Sequence, residues 1–130
     1  MDTFEKLEVW RDSKDLAVEI YRSFRSCRDF SFRDQIRRAA VSVPANIAEG
    51  LERNSPAECK NFMGFAKGSA GEVRTFLCLA EELELLDKDR ARRLREQALR
   101  VSKRLHGFIH YLESRFLLNR KFAKSITPPA

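Results

Sequence analysis

A proline inside a continuing helical repeat limits what this chain can fold into. In Gln35 to Ser55, which reads QIRRAAVSVPANIAEGLERNS, the residues Ile36, Ala40, Val43, Ile47 and Leu51 recur at steps of three and four, the spacing of one helix face. Pro44 falls within that series. It offers no N–H to the carbonyl of Ala40, and its ring crowds that carbonyl, so it must bend a long helix or split it in two. The stripe keeps its phase across Pro44, which favours a single kinked helix. Gly50 lies near the end of the stripe, where a glycine in the left-handed conformation can stop a helix.

The rest of the chain carries the same kind of pattern. Residues 7–25 place Leu7, Trp10, Ala17, Ile20, Tyr21 and Phe24 on one side and Arg11, Asp12, Asp15, Glu19 and Arg22 on the other. Ser26 to Ser31 breaks the pattern, so the second helix is expected from about Phe32 to Leu51. Ser55-Pro56-Ala57-Glu58 is a helix start, with a capping hydroxyl, proline at the first helical position and Glu three residues after the cap. The third helix then runs to about Leu86 on Phe62, Ala66, Ser69, Val73, Phe76, Ala80 and Leu83. Gly64, Gly68 and Gly71 share one face of it. A helix-interior glycine costs about 1 kcal/mol relative to alanine, so close approach of another helix is the expected reason for them. Asp87 or Asp89 caps a fourth helix carrying Ala91, Leu94, Ala98, Val101, Leu105, Phe108 and Leu112, at the 3.5-residue average of left-handed bundle packing.

With only five glycines and four prolines in 130 residues, the chain favours few long helices over many short strands. The expected fold is all-α, an antiparallel up-down-up-down four-helix bundle with the second helix kinked at its proline. The bundle domain is expected over residues 1–116, with a basic, flexible tail over 117–130.

Ile36 to Gly50, IRRAAVSVPANIAEG, resembles the signature of the bacterial four-helix-bundle family of proteins encoded in intervening sequences of large-subunit ribosomal RNA genes. Phe4, Leu7, Val9-Trp10 and Ile20-Tyr21 are similar to that family's first helix, Phe62, Ala66, Gly68-Ser69 and Glu72 to its third, and Leu105 to Leu112 to its fourth. The matching motif positions are Pro44, Asn46, Glu49, Gly50, Ser69 and Glu72. The family also contains the accessory variability determinant of diversity-generating retroelements. The resemblance implies a homo-oligomer, typically a pentamer around a basic channel, and assistance to a reverse transcriptase by retroelement members. Phe30, Phe32, Phe65 and Phe116 fall off the main stripes and are candidates to seal an interface between copies.

Charge is the functional signal that the residues themselves supply. The net charge is +6, yet residues 1–86 hold 13 Lys and Arg against 15 Asp and Glu, and residues 87–130 hold 12 against 4. A basic excess confined to one end points to an acidic partner, nucleic acid first. The candidate contacts are Arg37, Arg38, Arg90, Arg92, Arg93, Arg95, Arg100, Lys103 and Arg104, followed by Arg115, Arg120, Lys121 and Lys124. Arginine pairs two phosphate oxygens through its planar fork, and no base-reading motif is present, so binding to RNA or DNA backbone is expected. The alternative is a protein-interaction scaffold whose basic face meets an acidic protein. The bland reading of the same residues is a solvated positive face.

Nothing points to catalysis. No nucleophile elbow or phosphate-binding loop occurs, and Cys27, Cys59 and Cys78 lack C-x-x-C spacing. His106, His110 and Glu113 share a helix face, but H-x-x-x-H without an intervening Glu is a weak zinc signal. Asn46, Glu49, Ser69 and Glu72 suit an acid/base pair less well than a structural role, satisfying Arg37 or Arg38 and backbone freed at Pro44. The expectation is a non-enzyme with no cofactor, metal or small-molecule substrate. Apolar runs are too short to span a bilayer and no apolar signal core opens the chain, so a cytoplasmic location is expected.

Overall fold

A computed structural model describes the backbone of residues 3–126 and the side chains of residues 3–115. A short 3-10 turn, Phe4–Lys6, leads into α1 (Glu8–Ser23), α2 (Phe30–Leu51), α3 (Pro56–Glu82) and α4 (Lys88–Ile126). The described residues form no strand. The stretch expected as a tail thus begins as helix; Phe116 and the side chains of Arg120, Lys121 and Lys124 lie outside the described ones.

Helix starts follow from local capping. Asp29 accepts a hydrogen bond from the Phe32 N–H at 3.1 Å, which sets the start of α2 two residues earlier than the pattern suggests. Ser55 accepts from the Glu58 N–H at 3.2 Å and begins α3 at Pro56, as expected. Asp87 rather than Asp89 caps α4, accepting from the Arg90 N–H at 3.0 Å. α3 ends at Glu82, short of Leu86, because Glu84 takes a positive φ of 59° and the Leu85 N–H turns back to the Ala80 carbonyl at 2.8 Å. Pro44 lies inside α2 without splitting it.

The helices form a four-helix bundle in which α1 and α3 each pack on α2 and α4. Lys60 meets Glu113, Lys67 meets His106 and Glu81 meets Arg95, so contacts descend α4 as they climb α3. The core takes Ile36, Ala40, Val43 and Ile47 from α2 and the whole expected stripe of α4, with only Phe108 half-buried. In α1 the expected stripe lies largely inside: Ala17, Ile20 and Phe24 are buried and Leu7 and Trp10 pack half-buried against the core, with Tyr21 alone exposed. Val9, Ser13 and Leu16 widen the buried face. In α3, Met63, Ala70 and Leu77 join Ala66, Val73 and Ala80 inside, and Leu83 faces solvent.

Two glycine expectations are corrected. A Cβ at Gly64, Gly68 or Gly71 would meet nothing within 4 Å, so no helix crowds that face. The close approach is at Gly50, which is buried, helical and without positive φ. A Cβ there would stand 2.9 Å from Phe62 Cβ, 3.0 Å from Met63 Cε and 3.2 Å from the Cys59 carbonyl. Gly50 is therefore what lets the end of α2 lie against the start of α3.

Candidate nucleic-acid interface

The cations expected to bind an acidic partner divide into two groups. Arg37, half-buried on α2, donates to the Tyr21 carbonyl at 2.8 Å and lies over the Tyr21 ring, clamping α2 to α1. Arg95 donates to Glu81 across the α3–α4 seam at 2.8 Å. Both side chains are about a quarter exposed, and the hydrogen bond donated to Glu81 holds the Arg95 guanidinium above its ordinary pKa. Arg104 bridges to α1, reaching Glu8 at 3.1 Å and bonding Asp12 as well. Arg92 keeps a looser, exposed pairing with Asp89 at 3.7 Å.

Arg38, Arg90, Arg93, Arg100 and Lys103 are exposed and hold no carboxylate among the described residues. On α4 these four follow from the helix geometry. The inner face is taken by Ala91, Leu94, Ala98 and Val101, so 90, 93, 100 and 103 fall on the flanks and outer side. A second basic feature sits where α3 and α4 meet. A cleft of about 580 Å³ is lined by Arg74, Arg92 and Arg95 against a single acid, Glu96, together with Gly71, Thr75, Cys78 and Leu99. Arg74 escaped the sequence reading, because it lies far outside the basic third of the chain. Only the pairing of α3 with α4 brings it beside Arg92.

The motif residues do structural work, with partners other than those expected. The Asn46 amide donates to the Ser42 carbonyl at 2.8 Å and to Ser42 Oγ at 2.9 Å, and Ser42 Oγ shares a 2.9 Å bond with Ser69 Oγ. That chain of polar groups ties α2 to α3. Glu49 pairs with Arg53 at 2.7 Å rather than with Arg37 or Arg38. Glu72 is exposed and has no partner among the described residues. The two carboxylates thus do not form an acid/base pair.

His106 and His110 approach through their Nε2 atoms at 3.1 Å, and Lys67 Nζ stands 3.1 Å from His106 Nδ1. An ammonium only donates, so His106 accepts at Nδ1 and directs its Nε2–H to His110. Glu113 faces Lys60 at 3.9 Å, and no group of three His, Cys, Asp or Glu among the described residues is placed to hold a metal. No described helix is long and apolar enough to cross a membrane.

A small helical bundle whose last helix carries exposed cations unpaired among the described residues is the class these features define. The chain belongs to the 23S rRNA-intervening sequence protein family, whose model matches residues 5–107 and so takes in part or all of every helix. Among solved structures it is similar to a protein of unknown function from the S23 ribosomal protein family of Bacteroides thetaiotaomicron. The two share 25% sequence identity at a TM-score of 0.75, over 78% of this chain and 97% of that one. No curated protein matches the sequence.

Proposed function

We propose that the protein is a non-catalytic, oligomeric accessory protein of the cytoplasm that holds RNA or DNA by its phosphate backbone. The observation that carries the reading is the set of exposed cations on α4, Arg90, Arg93, Arg100 and Lys103, with no carboxylate to neutralise them among the described residues. The Arg74–Arg92 cleft extends the basic surface, and Arg38 adds a separate exposed cation on α2. Guanidinium groups on a rigid helix suit phosphate oxygens, and such contacts position a nucleic acid without reading its bases. A homo-oligomer, with five copies as the expected number, would repeat this surface around a ring. Delivery of bound RNA to a reverse transcriptase is the role the family resemblance suggests.

The test is fluorescence anisotropy with a structured RNA and a matched duplex DNA, from about 50 to 300 mM salt. The reading expects binding that weakens steeply with salt. Absence of binding at the lowest salt overturns it and turns attention to an acidic protein partner.

A further inference from the structure

Two surface patches remain unused by the core and by the free cations. The first is a groove of about 400 Å³ between α1 and α2, floored by Ala17, Val18, Tyr21, Val41 and Pro44. Val18, Tyr21 and Val41 are exposed by 40%, 44% and 45%, which is high for three large apolar side chains on one recess. The rim is cationic, with Lys14, Arg22 and Arg25 lining it and Arg37 over the Tyr21 ring. Arg25 has no carboxylate partner among the described residues, and the pairs Lys14–Asp15 and Arg22–Glu19 are open ones at 3.4 and 3.6 Å.

The second patch is the corner between α3 and α4. Leu79 and Leu83, one turn apart, are 41% and 59% exposed. Residues 78–89 hold five acids against one base. Glu81 is committed to Arg95 and Asp87 to capping α4, but Glu82 and Glu84 are exposed and unpaired among the described residues. Glu84 sits at the turn itself, where its positive φ ends α3.

The patches complement each other: an apolar recess with a basic rim, and a protruding leucine pair among acids. One molecule cannot join them. α1 makes no backbone approach to α3 among the described residues, so the α1–α2 edge lies opposite the α3–α4 edge. Contact between unlike patches on opposite edges is head-to-tail, and it closes into a ring when the rotation per step allows.

We propose that the Leu79–Leu83 corner of one copy docks in the α1–α2 groove of the next. Tyr21 and Val41 receive the leucines, and Lys14, Arg22 and Arg25 face Glu82 and Glu84. The inference rests on the oligomeric part of the proposed function. It is independent of nucleic-acid binding, because it is tested without nucleic acid.

The experiment is sedimentation velocity on the full chain and on Val41→Glu and Leu83→Glu, with circular dichroism to verify that both variants fold. Both sites are exposed, so the helical signal should be kept. The wild type should assemble and each variant alone should be monomeric. Mixed in equal amounts, the variants should form a one-to-one dimer and nothing larger, since the mixture holds one intact groove and one intact corner per pair. Folded variants that assemble like the wild type would overturn the interface while leaving an oligomer in place. A mixture that stays monomeric at concentrations where the wild type assembles would also overturn it, and a monomeric wild type would overturn the oligomer itself.

Discussion

Arg100 and Arg104 stand one helical turn apart on α4 and have different employment. Arg104 is held by Glu8 and Asp12 of α1, whereas Arg100 meets no carboxylate among the described residues. Arg95 and Arg93 repeat the contrast, the first bound to Glu81 of α3 and the second free. The seams of α4 and its outer side are therefore built from one residue type in two settings. What separates them is the neighbouring helix: an arginine that faces acids on α1 or α3 ties the helices together, and one that faces solvent leaves its charge open, which is what the proposed function draws on.

The sharpest way to break this contrast is to reverse charge on the free side alone. Arg90→Glu, Arg93→Glu and Arg100→Glu together should lower affinity for RNA at low salt by about a hundredfold or more. The melting temperature should barely move, because none of the three side chains has a carboxylate partner to lose among the described residues. A comparable loss of stability would show that these residues belong to the fold.

The next effect concerns packing at glycine. Gly50→Ala should destabilise by about 1–3 kcal/mol, since its methyl group would press on Phe62, Met63 and the Cys59 carbonyl. Gly64→Ala and Gly68→Ala place theirs in open space and should gain up to about 1 kcal/mol each from helix propensity. Urea denaturation of the three variants reads both signs in one series.

Smaller still is the cost of losing an engaged arginine. Arg95→Ala should cost about 1 kcal/mol, because its ion pair is mostly sheltered. Arg104→Ala should cost about 0.5 kcal/mol, being more exposed. Neither should change nucleic-acid affinity as much as neutralising Arg93.

The smallest effect is chemical. Cys78 is exposed and Cys59 buried, so a thiol reagent should label Cys78 in the native protein and Cys59 only on unfolding. Burial raises the Cys59 pKa. The folded state then keeps a proton that the unfolded thiol loses above pH about 8.5. Stability should hold below that pH and fall above it, with a shallower fall in Cys59→Ala.

The inner face of α4 was readable in advance because a long helix with an unbroken 3.5-residue period has one way to bury it. The start of α3 was readable because Ser55 and Pro56 act within a single turn. The glycines were not. A helical glycine marks a missing Cβ, but whether anything would have met that Cβ depends on the crossing helix, so the stripe on α3 looked crowded and Gly50 looked like a stop. On α1 a single position, Tyr21, departs from the stripe for a related reason. Each residue turns a helix by 100°, and Leu16 and Tyr21 each fit one of two overlapping stripes until α2 and α4 are in place. The nine candidate cations could be named, but their division into engaged and free required the acids of α1 and α3.

The most direct test of that division is the salt dependence of RNA binding for single neutralised variants. The slope of log affinity against log salt should become shallower by about one for Arg93→Gln and again for Arg100→Gln, while Arg95→Gln and Arg104→Gln leave it unchanged. Equal slopes in all four variants, or a change confined to Arg95 and Arg104, would contradict the account.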